Sequence, residues 1–195
     1  MKKVRENRLS SSFDVLDYMS KWSRRVNDKL NILFSEEGAE PSELYEIMAY
    51  SLLNGGKRIR PILCIAGCEA VQGDTEDLLT AACAIECVHS YSLIHDDLPA
   101  MDDDDLRRGK PTSHKAFGEA SAILSGDGLL TKAFELMSSN AMKEKFEMDR
   151  LIDSILLLSS AAGPSGMVGG QYLDIKSDPT KMNPELLRQM HLLKT

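Results

Sequence analysis

Positive charge in surplus is the first thing this sequence lacks: 23 Lys and Arg stand against 30 Asp and Glu, a net charge of -7. A surface for nucleic acid must neutralise phosphates with excess cations, so no nucleic-acid partner is expected, although a small phosphorylated ligand is not excluded. Long apolar runs are missing too, and none approaches the ~20 residues of a membrane span. The basic start Met1-Lys2-Lys3-Val4-Arg5 leads into Glu6-Asn7-Arg8 and a Ser run, not into an apolar export segment. Glu6, Asp14 and Asp17 also count against a transit peptide, so the expectation is a cytoplasmic, soluble protein with no membrane span. There are only four cysteines, Cys64 with Cys68 and Cys83 with Cys87, spaced i, i+4 in apolar helical stretches. They read as small buried hydrophobes, since structural zinc sites place their Cys in knuckles on turns.

Repeats, linkers and sustained two-residue alternation are absent, and what remains is helical periodicity. Met19, Trp22, Val26, Leu30 and Leu33 recur at spacings of three and four, one buried helix face. A second helix is predicted from about Pro41-Ser42-Glu43 to Asn54-Gly55-Gly56, and a third from near Pro61 to Gln72-Gly73. A long apolar helix runs from about Thr75 to Leu98, where Pro99 ends it. Further helices are predicted over about 119–140 and 146–162. A last one opens at Asn183-Pro184-Glu185, as N-cap, N1 and N2, and is still running at Thr195. The chain therefore reads as a single all-α domain, residues 1–195, cut short at its C-terminus.

Six carboxylates crowd the segment Asp96-Asp97-Leu98-Pro99-Ala100-Met101-Asp102-Asp103-Asp104-Asp105 at the end of that apolar helix. A helix C-terminus already carries partial negative charge, and carboxylates ~4 Å apart repel by about 1 kcal/mol even in water. A run of Asp in a loop is ordinarily just solvated. Here, however, the first two stand on the last turn of a buried helix, and Arg107, Arg108 and Lys110 follow at once. Carboxylates beside cations in one mouth suit Mg²⁺ bridged to diphosphate, because Mg²⁺ takes one or two protein carboxylates and completes its octahedron with water and phosphate oxygens. An EF-hand fails for want of Gly at the sixth and Glu at the twelfth loop position. His89 lies seven residues before Asp96, on the same helix face. Gly55-Gly56-Lys57-Arg58-Ile59-Arg60-Pro61 sets three cations at a turn into a helix N-terminus, a favourable place for anions. It is no P-loop, since Lys57 is followed by Arg58 and not by Ser or Thr.

In this order, Gly55-Gly56-Lys57-Arg58-Ile59-Arg60-Pro61, His89, Asp96-Asp97-x₄-Asp102, Leu106-Arg107-Arg108-Gly109-Lys110-Pro111-Thr112, Gly169-Gly170-Gln171 and Lys194-Thr195 resemble the motif set of the trans-type prenyl diphosphate synthases. The resemblance implies an isoprenoid synthase-type helical bundle around a central apolar pocket, a homodimer, and three Mg²⁺ ions per complete site. It assigns Lys57, Arg60, His89 and Arg108 to isopentenyl diphosphate. Asp96, Asp97 and Asp102 match the first aspartate-rich motif, which holds Mg²⁺ on the allylic diphosphate, while Arg107 and Lys194 match cations on that diphosphate. Thr195 and Gln171 match polar groups near the reacting carbons. The family's second motif, DDxxD, is missing, for Asp149 with Asp153 and Asp174 with Asp178 are isolated pairs. That leaves room for a non-catalytic partner subunit.

Product length is expected to follow the depth of the apolar pocket below Asp96. Tyr91 stands five residues earlier, about 7.5 Å down the helix axis, where its ring could floor the pocket; Ser92 beside it is small. In bacterial-type members of the family such an aromatic residue, with a two-residue insertion in the aspartate motif, goes with a farnesyl product. The sequence therefore favours farnesyl over geranylgeranyl diphosphate.

Overall fold

The structure, a computed structural model, describes residues 13–35, 40–177 and 183–194. Ten helices occupy about three quarters of them: α1 Val15–Phe34, α2 Ser42–Leu52, α3 Ile59–Ala70, α4 Thr75–Asp96, α5 Ser113–Phe117, α6 Glu119–Met137, α7 Asn140–Lys145, α8 Met148–Ala162, α9 Met167–Lys176 and α10 Pro184–Lys194.

Each long helix has a local cause. Asp14 caps α1 by accepting from the N–H groups of Leu16 and Asp17, and Asp74 does the same for α4 at Glu76 and Asp77. The periodic residues of α1 bury Trp22, Val26, Leu30 and Phe34. Asn183 caps α10 as the sequence predicts, its side-chain oxygen accepting from Glu185 and Leu186. α4 is apolar on nearly every face because it is surrounded. It packs most extensively on α6, then on α3, α1 and α2, and Ala82, Cys83, Ala84 and Cys87 are wholly enclosed. Burial pushes the Cys83 thiol up to about 12 and raises that of Cys87 as well, so both sit in the core as neutral side chains.

The all-α expectation holds, and three local features lie outside what the sequence predicts. A two-stranded antiparallel hairpin, β1 Leu106–Arg107 and β2 Lys110–Pro111, interrupts the helices. Two residues per strand are too few for alternation to register. Gly169, Gly170 and Gln171, quoted only as a motif, lie inside helix α9, because tertiary packing overrides the low helix propensity of the glycines. Finally, Met148–Lys176 is long and apolar enough to cross a membrane by length and composition. The helix predicted over 146–162 ends at Ala162, whereas apolar character resumes after the turn at 163–166 and continues through α9. Much of this stretch is exposed, including Ile152, Leu156, Leu157, Val168, Tyr172 and Ile175.

Candidate functional site

The end of α4 is where the acidic segment becomes geometry. Asp96 is its last helical residue and Asp97 its C-cap. The chain then folds back: the Asp102 N–H donates to the Asp96 carbonyl at 2.9 Å, and that of Asp103 to Leu98 at 3.1 Å. An exposed carbonyl of the helix end is thereby satisfied, and Asp102 is brought beside Asp96. Burial first, and Asp102 among the nearby charges, push the Asp96 carboxyl up to about 6, with Lys194 pulling the other way.

Asp97 has a different fate. Its side chain is enclosed, and Arg107 grips it, with Nε at 2.7 and 2.9 Å from the two carboxylate oxygens and NH2 at 2.5 Å. The hairpin makes this possible. Thr112 ties its far strand to the Asp104 carbonyl at 2.8 Å, Asn54 donates to the Arg107 carbonyl at 3.1 Å, and Tyr50 donates to that of Pro111 at 2.8 Å. Asp97 and Arg107, both predicted as ligand contacts, therefore hold each other.

Two cavities flank this end of α4. One, of about 740 Å³, is lined by Lys57, Arg58, Arg60, Arg108 and Lys110, with Asn54, Glu86 and His89. It joins the four residues predicted for one diphosphate, although they come from the turn before α3, from the first turn of α3, from α4 and from the hairpin tip. Burial first, then Arg60, hold His89 down at about 4, so it offers this cavity a neutral imidazole. The second cavity, of about 490 Å³, is mostly apolar. Asp96, Tyr91, Ser92, Gln171 and Lys194 line it, and Arg60 and His89 belong to both walls.

The second cavity takes its far wall from α9 and α10, which meet at Gly170. A Cβ there would stand 2.5 Å from the Lys194 nitrogen, so only Gly admits this approach. Lys194 reaches Asp174 at 2.5 Å. Neither side-chain amide atom of the enclosed Gln171 head has a hydrogen-bond partner, an unmet demand of the kind a ligand satisfies. Thr195 lies outside the described residues.

Sequence reasoning missed His95, Met101, Met167, Val168, Tyr172 and Ile175 in this wall. Spacing held part of the signal. His95 follows Tyr91 by four, and 168, 171, 172 and 175 form one stripe of α9. Tyr91 itself is edge-on to the His95 ring, with centroids 5.7 Å apart, and His95 reaches the Ile123 carbonyl of α6 at 3.1 Å.

Asp96 and Asp102 fit Mg²⁺ as a donor set: two hard carboxylates, held together by the backbone at a cavity mouth. Among the described residues no three His, Cys, Asp or Glu side chains form a cage, so water and ligand oxygens would supply the remaining positions. Asp97, held by Arg107, does not fit as a direct ligand in this geometry.

Residues 41–195 match the polyprenyl synthetase family model. The large subunit 1 of a heterodimeric geranylgeranyl pyrophosphate synthase from Arabidopsis thaliana is 47% identical, over 95% of this chain and 50% of its own length. A farnesyl diphosphate synthase from Bacillus subtilis is 43% identical, over 91% and 60%. The crystal structure of a geranyltransferase from Legionella pneumophila superposes with a TM-score of 0.88 at 41% identity, over 92% of this chain and 62% of that one. The chain thus spans 50–60% of the length of these curated relatives.

Proposed function

The chain belongs to the polyprenyl synthetase family, and on that premise we propose that it serves a prenyltransferase that joins isopentenyl diphosphate to an allylic diphosphate, dimethylallyl or geranyl. The observation that carries this reading is the pair of adjoining cavities, one cationic and one apolar, that share Arg60 and His89 with Asp96 at the apolar mouth. Isopentenyl diphosphate would place its phosphates among Lys57, Arg60 and Arg108. The allylic tail would enter the apolar cavity, with its diphosphate near Asp96, Asp102 and Lys194.

The allylic C–O bond breaks, the isopentenyl double bond closes a C–C bond onto the resulting cation, and a proton is lost to the released diphosphate. Mg²⁺ on Asp96 and Asp102 would supply Lewis acidity to the departing group. Lys194 would add preorganised positive charge, while Gln171 would turn its unpartnered amide toward the reacting carbons. The apolar wall keeps water from the cation. Tyr91, in the wall beneath Asp96, favours farnesyl diphosphate as product over the geranylgeranyl compound. A homodimer is proposed through exposed apolar residues of α6 and α8, namely Ile123, Leu124, Ile152 and Leu156.

The test is incubation of the chain with labelled isopentenyl diphosphate, dimethylallyl diphosphate and Mg²⁺, with farnesyl diphosphate expected. A relative named as a subunit of a heterodimeric synthase supports one second reading, a partner subunit that binds diphosphate without turnover. Uptake of both diphosphates with no product would support that reading against the enzyme.

A further inference from the structure

We propose that Arg58 is a positioning residue for the cationic cavity, locking the turn that presents Lys57 and Arg60 and cancelling a carboxylate of the cavity wall, Glu86. The proposal rests on the reading of that cavity as the isopentenyl diphosphate site. Arg58 lies between the two assigned cations, yet it is 2% exposed, so its task differs from theirs.

Its guanidinium is spent inward on three elements. Nε donates to Asn27 of α1 at 2.8 Å, NH1 to Glu86 of α4 at 2.6 Å, and NH2 to the Leu52 carbonyl at the end of α2 at 2.8 Å. The backbone of Arg58 is left-handed, φ 52 and ψ 34, at the N-cap of α3. A non-glycine residue keeps that conformation when its surroundings fix it, and the three bonds do so.

From the cavity side Arg108 closes on the same turn. Its guanidinium donates to the carbonyls of Gly55 and Asn54 and fills the place that a Cβ on Gly56 would take, 2.6–2.9 Å away. Residues 54–58 are therefore clasped between a buried guanidinium and an exposed one. Electrostatics points the same way. Among the described residues Glu86 is the one carboxylate lining the cavity, and unpaired it would repel a diphosphate across a short, poorly screened distance. Pairing with Arg58, the two side chains being 1% and 3% exposed, removes that repulsion and leaves the field of Lys57, Arg60, Arg108 and Lys110.

A purely structural role and a positioning role separate in a double variant. Breaking a buried pair from one side strands a charge, whereas replacing both partners with apolar groups is often tolerated. Arg58→Met and Glu86→Leu alone are each expected to lower Tm by roughly 10 °C, and together to restore most of that loss. Isopentenyl diphosphate in EDTA then probes the cationic cavity by calorimetry, and the extra Mg²⁺-dependent uptake of pyrophosphate probes the acidic mouth. The double variant is expected to keep the second signal while its Kd for isopentenyl diphosphate rises about tenfold or more. Wild-type affinity in the refolded double variant would overturn the proposal, leaving Arg58 as core filler. No uptake by wild-type protein would instead overturn the reading of the cavity itself. Should the double variant fail to fold, Asn27→Ala cuts one tie alone. A two- to threefold weaker Kd at unchanged Tm supports the proposal, and an unchanged Kd sinks it.

Discussion

The two cavities that share Arg60 and His89 are built on opposite principles. In the cationic one the groups that shape the turn are already satisfied: Arg58 by three acceptors, Arg108 by two carbonyls. At the acidic mouth the balance is open. Asp96 is held up at about 6 by burial, and the Gln171 amide has no partner. On the proposed reading, one region is a finished anion receptor and the other would be completed by what binds to it. If the proposed function holds, the difference shows where preorganisation ends, since a mouth that must admit a metal and release a product cannot neutralise itself permanently.

The sharpest way to break the comparison is Asp96→Ala. If the mouth needs its carboxylates for a metal, Mg²⁺-dependent pyrophosphate uptake should vanish and turnover in an active form should fall by about 10³. Metal-free uptake of isopentenyl diphosphate next door should change little. Equal loss at both cavities, read by the same calorimetric pair, would show one merged site instead of two.

Tyr91→Ala probes the apolar side alone. Longer prenyl products are expected from chromatography of the labelled mixture, with the rate of the first condensation within a few-fold of wild type. The ring belongs to the buried core and leans on His95, so a lower Tm is expected too. A lower Tm with an unchanged product profile would leave Tyr91 as packing and place the floor of the pocket elsewhere.

How far all this was legible depends on which physics carried the signal. The long helices were, because a buried stripe at three- and four-residue spacing writes itself into α1, and a near-continuous apolar run ended by Pro99 into α4. Lys57, Arg60, His89 and Arg108 were legible as a set through motif order. Their convergence is a long-range fact that only the fold supplies. Asp97 and Arg107 show the limit: sequence placed both on a ligand, whereas the hairpin folds one onto the other. Neither strand has enough residues for its periodicity to betray it. Arg58 was illegible for a related reason. Nothing in the run Lys57-Arg58-Ile59-Arg60 tells which cation turns inward; a left-handed backbone and the position of Glu86 on α4 decide it.

The smallest expected effect separates the two regions by pH. Asp96 titrates near 6 in the folded chain against an ordinary value of 3.8, so the folded state is the better proton binder and ionisation costs stability as pH rises from about 4 to 6. His89 runs in reverse. Its folded value of about 4 lies below 6.5, so the unfolded chain takes the proton first and stability drains as pH falls from 6.5 to 4. In metal-free buffer, Asp96→Asn should therefore gain over wild type by about 3–5 °C in Tm at pH 7.5 relative to its offset at pH 4. For His89→Gln the offset should be constant above pH 6.5 and should move in the variant's favour by a similar amount toward pH 4. Two offsets moving in the same direction would mean that one electrostatic environment governs both residues, and the division between a finished receptor and an open mouth would fail at the wall they share.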